Sequence, residues 1–306
     1  MMTPAFPLYD KGASVKRIER RFYPSGTLLF LFSGICGRKY ILESRIDMKI
    51  LCIGDIVSRT GRDMLFKYVD DLKYSMNIDL VIANGENSNH GRGMTRRCYD
   101  EMTNAGVDFF TLGNHTWGAK DIISLMKEED NVIRPLNFPG DVPGSGSAVI
   151  RTEAGAAVAV INLIGQTNMS PCNSPFEAAE REIKRLAGIT PVILVDFHAE
   201  VTSEKMAMGY FLDGKVSAVF GTHTHIQTSD AKILPHGTGY ITDLGMTGPA
   251  DSILGMNKDI IIKRFLTGMP QKFEIANGKG QFCGCIFTID EKTGKCTDTE
   301  RILIYE

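Results

Sequence analysis

The chain has 306 residues, 43% apolar and 23% charged, enough for one large α/β unit or two domains of ~150 residues. No apolar run approaches the ~18 residues of a membrane span, and a net charge of −2 gives no electrostatic footprint for nucleic acid. Seven scattered cysteines, an odd number, point to reduced thiols and a cytoplasmic setting rather than a disulfide scaffold.

Charge is uneven along the chain. Residues 1–47 carry eight Lys or Arg against four Asp or Glu, whereas the remainder carries 26 against 32. The sign changes just before Met48-Lys49-Ile50-Leu51-Cys52-Ile53, a methionine leading straight into a buried strand. Upstream, Lys16-Arg17-Ile18-Glu19-Arg20-Arg21 precedes Thr27-Leu28-Leu29-Phe30-Leu31-Phe32. That apolar piece is shorter than a signal-peptide core, and no small-x-small cleavage site follows it. We expect residues 1–47 to be an extension outside the fold, translated from upstream of a natural start at Met48, in preference to a targeting peptide. Residues 48–306 are then the folded domain.

From Met48 onward, short apolar runs alternate with longer amphipathic ones. A strand is expected over 49–53, then a helix over 61–75 with Met64, Leu65, Tyr68, Val69 and Leu72 at helical spacing. A strand over 80–83 precedes a helix over 95–105 with Thr95 as N-cap. A strand over 109–112 and a helix over 119–127 follow, and the Pro/Gly-rich stretch 137–146 reads as a loop. Next come strands over 148–151 and 158–163, a helix over 176–186, a strand over 192–195, a helix over 203–212 and a strand over 218–220. The last third reads as strands at 231–234, 240–242, 282–289 and 302–305, with one helix over 259–266. Strands feeding helices imply an α/β fold of two sheets flanked by helices, parallel in its first part.

Polar residues gather where these strands end. The first runs into Gly54-Asp55, the second into Asn84-Gly85-Glu86-Asn87 and the third into Gly113-Asn114-His115. Later ones run into Asp196-Phe197-His198 and Gly221-Thr222-His223-Thr224-His225. Of six histidines, four (His115, His198, His223, His225) lie at these ends, where loops converge in open α/β sheets. Singly, each has an ordinary role: Asp55 as a helix N-cap, Glu86 in a turn, His115 at the surface. His223-Thr224-His225 is more specific, because alternation in an extended segment places both imidazoles on one side. Together, carboxylate, amide and imidazole without thiolate describe a site for Mn, Fe, Co, Ni or Zn rather than Ca or a Cys-rich zinc site. Seven candidate ligands exceed what one ion needs, so two ions are implied, and phosphoester hydrolysis is the chemistry that suits such a pair.

In this order the motifs resemble the calcineurin-like metallophosphoesterases, and in finer wording the YmdB-type phosphodiesterases of bacteria. The matching segments are Gly54-Asp55-Ile56-Val57, Asn84-Gly85-Glu86-Asn87, Gly113-Asn114-His115-Thr116-Trp117, Asp196-Phe197-His198-Ala199-Glu200 and Thr202-Ser203-Glu204-Lys205. Two more are the run from Gly221 to Thr228 and the run from Tyr240 to Gly248. The resemblance covers Met48 to Glu306 and implies the calcineurin-like fold, an αββα sandwich. It also implies a dinuclear site: Asp55, Asn87 and His225 on the first ion, Asn114, His198 and His223 on the second, Glu86 bridging with a water or hydroxide. His115 would be the general acid. Most of the superfamily has Asp-x-His at the first motif, where this chain has Asp55-Ile56-Val57; Asn87 replaces the missing imidazole, and Glu86 the usual bridging Asp. The implied cofactors are two divalent ions, iron or manganese ahead of zinc. The implied substrates are 2′,3′-cyclic or 3′,5′-cyclic nucleotides or another small phosphodiester.

Arg92, just past Asn87, is a candidate phosphate contact, and the loop 168–175 a candidate overhang of the site. Asp196 and Asp243 are candidates to orient ligating histidines, with turn capping as the other role of Asp243. Rival readings are an amidohydrolase, against which the late position of the His-x-His pair argues, a metal-retaining nucleotide-sensing regulator with weak or no turnover, and a nucleotide monoesterase. No membrane partner is expected; self-association is compatible with the sequence.

Overall fold

The computed structural model describes residues 47–306 in full, and residues 18–22, 28–33 and 39–44 as backbone strands. The chain divides into two compact units, 1–46 and 47–306. In the first, β1 (Ile18–Phe22), β2 (Leu28–Ser33) and β3 (Lys39–Ser44) form an antiparallel sheet in the order β1-β2-β3.

The second unit contains two sheets. Its elements begin β4 (Asp47–Ile53), β5 (Asp55–Ile56), α1 (Ser58–Met76), β6 (Leu80–Asn84), α2 (Arg96–Asn104), β7 (Phe109–Thr111) and α3 (Ile122–Glu128). They continue β8 (Ser147–Arg151), β9 (Ala157–Ile164), α4 (Pro175–Leu186), β10 (Ile193–His198), α5 (Thr202–Leu212) and β11 (Ala218–Thr222). The last are β12 (Lys232–Ile233), β13 (Gly239–Ile241), β14 (Met246–Pro249), α6 (Lys258–Thr267), β15 (Gly280–Asp290) and β16 (Cys296–Tyr305). One sheet runs β5-β14-β15-β4-β6-β7 with β16 paired to β15, and the other β12-β13-β11-β10-β9-β8. β4, β6 and β7 are parallel, as are β9, β10, β11 and β13, while β15 joins β4 antiparallel.

Side-chain alternation along each strand builds the layers. Ile50 and Cys52 of β4, Leu80 and Ile82 of β6, Val158 and Val160 of β9 and Leu194 of β10 fill the space between the sheets. Their sequence neighbours face outward: Leu51, Ile53, Val81 and Ala83 meet α1, α2 and α3. Ala159, Ile161 and Val195 meet α4 and α5 on the other side. Because helices cover both outer faces, these strands read as unbroken apolar runs. The result is two sheets face to face with helices outside, the αββα arrangement anticipated.

Where boundaries differ, local chemistry explains it. α1 starts at Ser58, three residues before the expected start at 61, and ends on Asn77 in the left-handed region with φ 53°. Thr95 does cap α2, its side chain accepting from Cys98 N. β14 lies in a stretch, Met246-Thr247-Gly248-Pro249, for which the sequence predicts no element. It pairs parallel with β5, opposing Met246 to Asp55.

Candidate metal centre

The same alternation that packs the inner layer delivers polar residues to it at the strand ends. Asn84 follows Ile82, Thr111 follows Phe109, and Asp196 and His198 follow Leu194, all at even spacing on the inner faces. All four are buried, so each must find a partner. Thr111 Oγ1 donates to Asp196 Oδ2 at 2.5 Å and Thr222 Oγ1 to Asp196 Oδ1 at 2.7 Å. Asn84 Nδ2 lies 3.3 Å from Asp196 Oδ2, while Asn84 Oδ1 accepts the backbone N–H of Glu86 at 3.1 Å. This layer is the floor of the site.

Each of three histidines has one ring nitrogen beside an oxygen of the surrounding protein and the other facing the site. His198 Nδ1 donates to Thr222 Oγ1 at 2.9 Å, since that hydroxyl spends its proton on Asp196. His223 Nε2 lies 2.9 Å from Glu200 Oε2, and His225 Nδ1 lies 3.1 Å from Leu254 O. The inward nitrogens are therefore His198 Nε2, His223 Nδ1 and His225 Nε2.

Around His198 Nε2 stand Asn114 Oδ1 at 2.8 Å, Glu86 Oε1 at 3.1 Å and His223 Nδ1 at 3.1 Å. Glu86, His198 and His223 each offer a ligand atom within 4.8 Å of the others. The second group is Asp55, Asn87 and His225. His225 Nε2 lies 3.8 Å from Asp55 Oδ1 and 3.1 Å from Asn87 Nδ2. Asp55 links the groups, because its Oδ2 accepts the backbone N–H of His223 at 3.0 Å.

Fit to cations is tested by the polar atoms left over. Asp55 Oδ1 is buried with no hydrogen-bond partner, and Glu86 Oε1, equally buried, faces only the His198 imidazole at 3.1 Å, an arrangement costly for a carboxylate unless positive charge completes it. Burial raises the Asp55 carboxyl above its ordinary value, with His225 pulling the other way. Burial also disfavours charge on His198 and Glu86, but each outweighs it for the other: His198 is raised to about 9 and Glu86 lowered to about 2. A proton on His198 Nε2 thus stands among the atoms that would hold an ion. His223 is pushed down to about 3 by burial and by the His198 charge, and stays neutral as a ligand must. The donor set fits divalent ions of the Mn, Fe or Zn kind.

The His223-Thr224-His225 segment is not extended. His223 has φ 95° and His225 φ 62°, both in the left-handed region. A turn with strained backbone, rather than strand alternation, brings the two imidazoles to the site, which corrects the expectation from spacing. Three anchors hold this turn. Asp243 Oδ2 accepts Thr224 N at 3.2 Å, Lys205 Nζ donates to Thr222 O at 2.7 Å and to Asp243 Oδ2 at 2.5 Å, and Gln227 Nε2 donates to three backbone carbonyls. Opposite, Gly113 must lack a side chain, because a Cβ there would overlap the His198 ring.

The structure brings Asp55, Glu86, Asn87, Asn114, His198, His223 and His225 together as two adjoining groups. Asp55 caps no helix: Val57 occupies the N-cap position of α1. His115 stands at the edge, its N–H donating to Glu86 Oε2 at 2.7 Å and its Nε2 3.4 Å from Asn114 Nδ2. Burial lowers its pKa from the ordinary imidazole value, against the pull of Glu86. Arg92 is exposed and packs its Cγ beside Gly118, one turn past His115. Asp196 reaches His198 through Thr222, whereas Asp243 grips backbone and Lys205 rather than an imidazole. Sequence reasoning gave no role to Lys205, Glu200, Thr222 or Leu254. Lys205 and Glu200 lie in the matched motifs, but Leu254 contributes only a carbonyl, which no side-chain pattern reports.

A family model described as YmdB-like protein matches residues 51–302. A Bacillus subtilis protein named 2′,3′-cyclic-nucleotide 2′-phosphodiesterase is 49% identical over 257 residues, spanning 84% of this chain and 97% of its own. A crystal structure of a hypothetical protein from Thermus thermophilus matches with TM-score 0.79 and 40% identity, covering 85% of this chain and all of that one. That of a Mycoplasma pneumoniae protein described as a novel phosphatase matches with TM-score 0.80 and 36% identity, covering 85% and 94%.

Proposed function

The chain belongs to the YmdB-like protein family and is a hydrolase of phosphoester bonds; from that premise we propose a dinuclear phosphodiesterase acting on 2′,3′-cyclic nucleotides, with 3′,5′-cyclic nucleotides as the second class. One observation carries the reading. Asp55 Oδ1 is buried without a hydrogen-bond partner and Glu86 Oε1 has only His198 at 3.1 Å, beside three imidazoles whose outer nitrogens already face other oxygens.

Asp55, Asn87 and His225 would hold one cation, Asn114, His198 and His223 the other, and Glu86 both. Iron or manganese suits these donors, with zinc as the further option. Bound there, such ions supply positive charge against the phosphoryl oxygens and lower the pKa of a water molecule. The chain itself does the rest. His115, fixed by its own N–H on Glu86, protonates the ribose oxygen that leaves. Arg92, exposed beside Gly118, meets the remaining phosphate charge.

The test is to strip the protein with EDTA, restore Mn or Fe, and assay 2′,3′-cyclic AMP, 3′,5′-cyclic AMP and a monoester side by side. Activity on the 2′,3′-cyclic diester should return with metal, and His115→Ala should lower kcat by roughly 10²–10⁴-fold. Equal rates in wild type and His115→Ala would remove the acid. Turnover of the monoester alone would make the protein a phosphomonoesterase, and metal uptake without turnover a regulator.

A further inference from the structure

Among the three oxygens beside the outer histidine nitrogens, two are buried or backbone: the Thr222 hydroxyl and the Leu254 carbonyl. The third is different. Glu200 is a charged side chain with half its surface in solvent (50% exposed), and its Oε2 lies 2.9 Å from Nε2 of His223, itself 21% exposed.

We propose that Glu200 is the positioning residue for His223, holding its proton on Nε2 so that Nδ1 is left free for the cation shared with Asn114 and His198. The inference rests on the two-cation reading of the site.

Three features support it. First, Glu200 grips the far side of the ring: Nδ1 faces His198 Nε2 at 3.1 Å while Nε2 faces Glu200. A carboxylate there cannot reach the same ion, so its effect passes through the imidazole. Second, the backbone of His223 is held by Asp55 and its neighbour Thr224 by Asp243, but its ring has no other acceptor for Nε2 among the described residues. Third, Glu200 is placed by the fold rather than by chance. It follows the end of β10, two residues after His198 and two before the start of α5 at Thr202. One short link therefore carries both a ligand of the proposed ion and the group that aims the next. A carboxylate on the outer nitrogen also makes the imidazole a stronger donor, and removing such partners typically costs 10–100-fold in metal affinity. An ordinary surface ion pair would leave metal binding untouched.

The experiment uses the full chain, stripped and titrated with Mn²⁺, with binding followed by calorimetry and by electron paramagnetic resonance. Wild type should take up two ions per chain and give the signal of a coupled pair. Glu200→Ala should keep one site near the wild-type affinity, weaken the other by roughly 10–100-fold, and at low Mn²⁺ give the signal of an isolated ion. Glu200→Gln, whose amide oxygen still accepts from Nε2, should recover most of the lost affinity. Because Glu200 is half in solvent, both variants should match wild type in thermal unfolding with EDTA present. Two coupled ions at wild-type affinity in Glu200→Ala would overturn the inference while leaving the dinuclear reading intact. Equal weakening in Glu200→Gln and Glu200→Ala would overturn the tautomer argument. Fewer than two ions in wild type itself would overturn the dinuclear reading and the inference with it.

Discussion

Asp55 accepts the backbone N–H of His223 through Oδ2 at 3.0 Å, while its Oδ1 is buried without a hydrogen-bond partner. The first β-strand segment of the site and the last histidine turn are thus tied by one carboxylate, half satisfied by the protein.

Asp55→Asn separates these roles. The amide oxygen can still accept from His223, and the buried charge is gone. In EDTA the variant should be as stable as wild type or more so, by about 1 kcal/mol or more, the scale of an unsatisfied buried group. With Mn²⁺ added, wild type should gain stability and the variant little. Urea unfolding in both conditions checks this; a large loss of stability in EDTA would show that Asp55 is structurally satisfied without a cation.

Gly113→Ala tests how closely the ligand strands approach. The added methyl would overlap the His198 ring, and overpacking of this kind costs about 1–3 kcal/mol. We expect a lower melting temperature and loss of metal from the position shared by Asn114 and His198. Full metal content with an unchanged melting temperature would contradict the packing described.

Lys205→Met should be among the most destabilising single changes. It leaves Asp243 buried without its ammonium partner, a situation that typically costs about 3–5 kcal/mol. The double variant Lys205→Met/Asp243→Asn should recover part of that loss, because no unpaired charge remains. Additive losses across the cycle would argue that the two residues act independently.

Cys283, Cys285 and Cys296 are all pushed up to about 12 by burial. At pH 8 each is a neutral thiol, and thiolate is the reactive form. Iodoacetamide should leave all three unmodified in the native protein and alkylate them in guanidinium. Rapid native labelling of any of them, read by peptide mass, would contradict the burial.

Much of this fold and site is legible in the sequence. Short apolar runs, helical spacing of apolar residues and the Thr95 cap mark the strands and helices, and ligand-type residues after five strands mark the rim. Two physical effects lay beyond that reading. β14 is a Gly/Pro-containing strand held by pairing with β5 and β15, so local propensity argued against it. The His223 and His225 backbones are set by distant anchors, Asp55, Asp243 and Lys205, which overrule the extended conformation that spacing suggested. Long-range hydrogen bonds, rather than local patterns, decide both.

In the proposed dinuclear site, Glu86 would stand between two cations, with Asp55, Asn87 and His225 on one side and Asn114, His198 and His223 on the other. Anomalous diffraction at the manganese edge from Mn²⁺-soaked crystals measures it directly. Two peaks flanking the Glu86 carboxylate are expected; a single peak, or peaks remote from these seven side chains, would contradict the account.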